Sequence, residues 1–270
     1  MPKFSANLSF LYPELAFPDR FAAAADDGFA AVEYVGPYDQ PAAMVAGWLS
    51  RHGLQQALFN TPAGNWAAGE RGIACLPERV DEFRAGVRQA ALYAAELGCS
   101  QINVLAGIVG KAHDPALVEK TFVDNLKYAA DLMEGRGVRL LIEPINQIDI
   151  PGFYLSGLPQ AGRVLAGVGS ANLFIQFDFY HVQIMHGDLM RNFQRIQPQI
   201  AHVQIADNPG RNEPGTGEIA YAHVLKGLDQ AGYAGWVGCE YKPSTGFGAA
   251  RDWMSRMLSP QSSEAEAAMR

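Results

Sequence analysis

Eight times along this chain of 270 residues, a short run of β-branched and aromatic residues gives way to a longer segment with helical spacing. That alternation constrains the fold more than any other feature, because repeated strand–helix–strand units build a parallel sheet covered by helices. The strand candidates are Phe4–Ser9, Ala31–Val35, Gln55–Phe59, Gln101–Leu105, Val138–Glu143, Leu173–Asp178, Ala201–Ile205 and Trp236–Glu240. Several are apolar on both alternations, as Leu140, Leu141 and Ile142 are, which suits strands covered on both faces. Eight units without a break in composition predict one α/β domain, a single (β/α)8 barrel, a fold that uses about 250 residues. A doubly wound open sheet is the rival. It usually carries a glycine-rich phosphate turn after its first strand, and residues 7–13 contain no glycine.

The segments between the runs carry helix signals. Asp114 before Pro115 reads as an N-cap with proline at the first helical position, and Phe122, Leu126, Ala129 and Met133 then repeat at spacings of three and four. Pro77 is expected to open another helix, carried by Val80, Phe83, Val87, Ala91, Ala94 and Leu97 and closed by Gly98 in the left-handed conformation; Gly28 and Gly53 end the first two helices in the same way. The stretch from Asn60 to Leu76 is long and rich in Gly, Ala and polar residues, so on a barrel it reads as a lid or binding loop at the C-terminal face. Residues 1–258 are assigned to the barrel and 259–270 to a polar, frayed tail.

Charge narrows the partners. Lys+Arg 21 against Asp+Glu 28 gives a net charge of −7, which argues against nucleic acid and anionic membrane surfaces, both of which draw on clustered Lys and Arg. Cys75, Cys99 and Cys239 form no C-x-x-C pair and no even-numbered framework, so a reducing compartment, the cytoplasm, is expected. No apolar run approaches the roughly 20 residues of a membrane span, and no secretory leader is visible.

On a barrel the chemistry belongs at the C-terminal strand ends. Glu143 ends the fifth strand, Asp178 the sixth and Glu240 the eighth, while Gln204 lies in the seventh. Any one of these is equally a helix cap or the partner of an arginine. Together they would converge on the barrel axis, where three carboxylates repel unless a cation or protons compensate. A divalent metal held by Glu143, Asp178, Gln204 and Glu240 is the economical solution. If Gln204 offers its carbonyl the set is all oxygen, which suits Mg2+, with Mn2+ the alternative, rather than zinc. Glu143 and Glu240 are also placed to exchange protons with a substrate between them, as isomerisation through an enediol requires.

His181, three after Asp178, is either a hydrogen-bond partner of a substrate oxygen or a structural imidazole. His202, two before Gln204 on the same strand, is expected deeper in the barrel as a residue that orients a ligand. Arg211, in the glycine-rich stretch after the seventh strand, would grip a substrate carboxylate or stay solvated; Glu70 and Arg71 in the third loop would act from the lid side, and Lys242 is a further cation near the mouth.

The motifs resemble those of the hydroxypyruvate isomerase family, within the xylose-isomerase-like barrel superfamily. They are the stretches at 4–9, 62–72, 141–146, 202–209, 213–219 and 235–243. The resemblance runs from the first strand to Lys242, and it implies a (β/α)8 barrel and reversible conversion of hydroxypyruvate to 2-hydroxy-3-oxopropanoate. It also implies that Glu143 and Glu240 are the proton donor and acceptor, that Glu143, Asp178, Gln204 and Glu240 hold the metal that stabilises the enediolate, and that His181 and Arg211 touch substrate. Many relatives in the superfamily carry histidine where Gln204 stands, which shifts the expected metal toward magnesium. Isomerisation of a four-carbon 2-oxo acid or 3-epimerisation of a ketose would use the same groups. A repair endonuclease would need a histidine-rich zinc cluster and a basic face, and a non-catalytic sugar-binding barrel would not need four converging oxygen ligands.

Overall fold

The computed structural model describes residues 2–245 and 252–258. Eight strands, β1 (Lys3–Asn7), β2 (Ala31–Tyr34), β3 (Gln55–Asn60), β4 (Gln101–Val104), β5 (Arg139–Ile142), β6 (Leu173–Asp178), β7 (Ile200–Ile205) and β8 (Trp236–Cys239), close into one barrel in sequence order. Every neighbouring pair is parallel, and β1 closes on β8 with Ser5 opposite Gly238. All eight runs read from the sequence are strands. Their boundaries move by one or two residues, because the polar residue ending several runs lies just past the last ladder bond.

Helices α1 (Asp19–Asp26), α2 (Ala42–His52), α3 (Val80–Leu97), α4 (Pro115–Glu134), α5 (Leu158–Val168), α6 (Phe179–Met185), α7 (Leu189–Ile196), α8 (Tyr221–Gln230) and α9 (Asp252–Leu258) cover the described part of the barrel. Asp114 caps α4 by accepting from the Ala116 N–H, and Phe122, Leu126, Ala129 and Met133 form its fully buried stripe, the larger side chains contributing about 1.5–3 kcal/mol each. Gly28, Gly53 and Gly98 follow α1, α2 and α3 at φ of 78°, 66° and 62°. Pro77 opens a turn of 3-10 helix, Pro77–Arg79, rather than α3 itself, which begins at Val80. Two helices rather than one connect β6 to β7, because Gly187 at φ 63° breaks the segment after α6. The tail assigned to residues 259–270 lies outside the described residues.

The inside of the barrel is not uniformly apolar. Leu58, Leu141 and Ala201 form a small cluster of their own, separate from the layer between sheet and helices. Glu33, Asn103, Gln176, His202 and Gln204 are buried nearby, so much of the interior depends on polar groups being paired. Among the described residues no helix is long and apolar enough to cross a membrane, and Cys75, Cys99 and Cys239 are buried and form no disulfide.

Candidate active site

A cavity of about 520 Å³ opens at the C-terminal end of the barrel, and Glu143, Gln204, Glu240, His181, Arg211 and Lys242 line it. The ladder explains the convergence. Asp178 pairs with Gln204 in register and Gln204 with Gly238, which puts the ends of β6, β7 and β8 side by side. Glu143 follows the last residue of β5 and Glu240 the last residue of β8.

The carboxylates are at most 9% exposed. Burial, then the charges of Glu240 and Asp178, hold the Glu143 carboxyl well above its usual range. Burial raises Asp178 to about 6 and Glu240 to about 8, against the opposing pull of Arg211. Arg211 Nη2 lies 2.9 Å from Glu240 Oε2 and 3.8 Å from Asp178 Oδ2, and Nη1 lies 3.8 Å from Asp149 Oδ2. Its guanidinium sits between the rings of Phe10 and Tyr180, 4.6 Å and 5.1 Å from their centroids. One arginine cannot neutralise three clustered carboxylates, and Asp178 Oδ2 is buried without a hydrogen-bond partner. Glu143, Asp178 and His181 offer ligand atoms within 4.8 Å of one another, a buried group that could hold a metal ion. The orphaned oxygen and the surplus negative charge fit a cation.

The state of His181 is set from behind. Asn146 Oδ1 accepts the backbone N–H groups of Ile148 and Asp149, so its Nδ2 faces His181 Nδ1 at 2.7 Å. An amide nitrogen only donates, so Nδ1 accepts and the proton sits on Nε2. Burial, followed by the charge of Arg211, holds the imidazole neutral by lowering it well below its usual range. Nε2 lies 3.4 Å from Asp178 Oδ2 and 3.8 Å from Glu143 Oε1. His181 therefore presents an N–H to the cavity, not a lone pair.

Below the cavity floor, Glu33 of β2 is fully buried and receives Ser5 Oγ at 2.7 Å, Asn7 Nδ2 at 3.1 Å, His202 Nε2 at 2.8 Å and Gln204 Nε2 at 2.7 Å. Burial alone would raise its carboxyl; His202 and the hydrogen bonds from Gln204 and Ser5 outweigh that and hold it below the usual range. Gln204 Oε1 in turn accepts from Gln176 Nε2.

The loop after β7 is organised by Asp207, whose carboxylate accepts the N–H groups of Gly215, Thr216, Gly217 and Ile219. Those contacts explain the glycines: a Cβ on Gly217 would overlap the Asn208 carbonyl. The loop is tied to β8 by the Lys242 N–H donating to the Arg211 carbonyl, and Arg211 itself takes φ 56°.

The chain matches the model of the xylose isomerase-like TIM barrel over residues 21–257. The chain belongs to the xylose isomerase-like TIM-barrel family. A hydroxypyruvate isomerase of Escherichia coli is 48% identical over 254 residues, covering 94% of this chain and 98% of the relative. A 2-oxo-tetronate isomerase of Cupriavidus necator is 46% identical over 258 residues, covering 96% and 99%. A crystal structure from Brucella melitensis, described as an AP endonuclease of family 2, superposes with a TM-score of 0.92 at 41% identity, covering 95% of this chain and 99% of that one. With relatives of this identity over nearly the whole length, this member of the xylose isomerase-like family is an isomerase.

The residues singled out in the sequence are distributed unevenly on this xylose isomerase-like barrel. Glu143, Glu240, Gln204, His181, Arg211, Arg71 and Lys242 line one cavity, and Asp178 lies against it through His181 and Arg211. Asp178 also caps α6, accepting the Tyr180 N–H, so the helix-cap reading of that strand end holds as well. Arg71 stacks on Trp66 at 3.9 Å. Glu70 stands apart: its carboxylate pairs with Arg79 at 2.8 Å and caps the Asn65 N–H, away from the cavity lining. His202 lies deep, as its position on β7 suggests, though it reaches Gln204 only through Glu33. Glu33, Asn146 and Gln176 are unannounced in the sequence, since an isolated polar residue within or just past an apolar run does not reveal its partners.

Proposed function

We propose that the chain interconverts hydroxypyruvate and 2-hydroxy-3-oxopropanoate, with Glu143 and Glu240 as the acid and base. The observation that carries this reading is the convergence of these two glutamates, each held above its usual range, on one cavity that also contains Arg211, Arg71 and Lys242. A small substrate bearing a carboxylate suits that mixture. Its carboxylate takes a bidentate grip from Arg211 or Arg71 or a point charge from Lys242, while its carbon chain lies among the acids.

One glutamate removes a proton from C3 of hydroxypyruvate, the electron pair forms the C2–C3 double bond, and O2 takes a proton. The enediol then accepts a proton at C2 from the second glutamate while O3 loses its own, leaving the aldehyde. The step is redox-neutral and needs no further reactant. Carboxyls held above their usual range are matched to this work, which contributes typically 10² to 10⁴-fold. His181 Nε2–H donates to the oxygen on which charge develops, and its neutral state keeps it a donor without drawing off the carboxylates' charge.

Glu143, Asp178, Gln204 and Glu240 would hold the cation; His181 is left out because its Nε2 carries a proton. An all-oxygen set favours Mg2+, with Mn2+ next. When bound, the ion supplies Lewis-acid stabilisation of the substrate oxygens.

A four-carbon 2-oxo-tetronate is the second reading, favoured by the Cupriavidus relative, whose identity to the chain is nearly that of the Escherichia coli one. Endonuclease chemistry, suggested by the description of the Brucella relative, sits poorly with a net charge of −7. Steady-state kinetics on hydroxypyruvate, 2-oxo-tetronate and ketoses separate these. Hydroxypyruvate is expected to give the highest kcat/KM; a higher value for the four-carbon acid would move the assignment to the second reading.

A further inference from the structure

Gln204 is useful to a hard cation only through its carbonyl oxygen, and nothing about a glutamine on a strand fixes which end of its amide faces the cavity. The interior of the barrel does fix it. Glu33 Oε2 accepts from Ser5 Oγ and His202 Nε2, and Glu33 Oε1 accepts from Asn7 Nδ2 and Gln204 Nε2. Asn7 cannot turn its own oxygen to Glu33, because Asn7 Oδ1 already accepts the Ser9 N–H at 3.0 Å. The carboxylate is thus held as an acceptor on every side, and only the NH2 end of Gln204 can meet it.

A second feature shows that the barrel makes room for this carboxylate. Gly238 of β8 lies against it, and a Cβ there would come within 2.6 Å of Glu33 Cδ. Gly238 is also the register partner of Gln204 and lies two residues before Glu240. The strand carrying one acid and the strand carrying the amide are therefore packed on the same buried group.

We propose that Glu33, held by Ser5, Asn7 and His202, is the positioning residue that turns the Gln204 carbonyl toward the cavity and makes it an oxygen ligand for a divalent cation. The proposal rests on the metal-site reading above. With the NH2 end committed to Glu33, the oxygen points away toward Gln176, whose Nε2 uses one of its two lone pairs and leaves the other for a cation. Removing the carboxylate's charge would free the amide to turn over, and a cation would then meet N–H groups. Partners of this kind are typically worth about 10- to 100-fold in metal affinity.

The test is Mn2+ affinity, read by electron paramagnetic resonance of the free ion, in wild type, Gln204→Ala, Gln204→Glu, Glu33→Gln and the exchanged pair Glu33→Gln with Gln204→Glu. Glu33→Gln is expected to weaken Mn2+ binding about tenfold or more with the circular dichroism spectrum unchanged. The exchanged pair is expected to recover most of that loss, since the new carboxylate can only offer oxygen and the new amide can donate to it. An added carboxylate strengthens a cation site by itself, so the recovery supports the positioning role when the gain from Gln204→Glu is larger in the Glu33→Gln background than in wild type, and an equal gain in both overturns it. If Gln204→Ala weakens Mn2+ while Glu33→Gln does not, the positioning role is overturned and the metal site stands. If Gln204→Ala leaves the affinity unchanged, Gln204 is no ligand and the inference falls with that part of the site. Should Glu33→Gln fail to fold, a crystal structure of wild type with Mn2+ decides: Gln204 Oε1 on the ion with Nε2 on Glu33 supports the proposal, and any other amide orientation overturns it.

Discussion

Asn146 Nδ2 stands 2.7 Å from His181 Nδ1, and because Asn146 Oδ1 is spent on two backbone N–H groups, the proton of His181 is forced onto Nε2. The sequence separates these residues by a helix and a strand, yet the loop after β5 decides the chemistry that the residue after β6 can perform. Replacing Asn146 with Ala removes that constraint. Turnover is expected to fall by about 10- to 100-fold, as for other groups that orient a site residue, and nitrogen NMR of His181 should show a mixture of tautomers. An unchanged tautomer in the variant would contradict the role.

Arg211 is expected to act mainly in binding. Arg211→Ala should raise KM for hydroxypyruvate by about 10- to 100-fold, the value of one or two charge-assisted hydrogen bonds of about 1.5–3 kcal/mol, with a smaller effect on kcat. Arg211→Lys should recover only part of the loss, since a point charge cannot reproduce the fork. A variant losing kcat alone would place Arg211 with the acids instead.

The acid cluster predicts a pH signature of the metal-free protein. Glu240, raised by burial to about 8, and Glu143, raised by burial and by its acidic neighbours, hold protons more tightly folded than unfolded. Their contribution is present near the ordinary carboxylate range and is lost as pH rises through the folded values. His181, lowered from 6.5, acts in the opposite sense only at lower pH. In EDTA the melting temperature should therefore fall between about pH 6.5 and 8.5, each kcal/mol lost moving it by about 2–4 °C. Mn2+ should shrink the fall by taking the place of the protons. A midpoint that rises across this window in EDTA would contradict the electrostatics.

Gly72 tests the lid segment. It has φ 99°, bridges to Ala106, and leaves no room for a Cβ against the Leu105 carbonyl. Gly72→Ala combines an unfavourable backbone conformation with that overlap, and calorimetry should show a loss of about 2 kcal/mol or more. Because Arg71 and Trp66 ride on the same segment, KM should rise as well.

How far the sequence reached follows from what each level of structure requires. The eight strands are legible because a strand buried on both faces must be apolar throughout, as Leu140, Leu141 and Ile142 are, and because Gly53 and Gly98 mark helix ends. Glu143, Asp178 and Glu240 are legible because a carboxylate closing such a run is costly without a reason. Glu33 carries the same cost but sits inside its run. Its partners Ser5, His202 and Gln204 lie on two other strands, up to 171 positions away, so only the closed barrel shows why it is tolerated. Glu70 reads like a lid residue beside Arg71, and only the turn at Pro77–Arg79 reveals that Arg79 takes it.

The central claim is proton transfer by Glu143 and Glu240. Its most direct test is the conversion of hydroxypyruvate in D2O, followed by proton NMR in wild type, Glu143→Gln and Glu240→Gln. Solvent deuterium is expected on the carbon of the 2-hydroxy-3-oxopropanoate formed by wild type, with turnover reduced by about 10² to 10⁴-fold in each variant whose fold is intact. Product free of solvent deuterium, or either variant turning over at the wild-type rate, would contradict it.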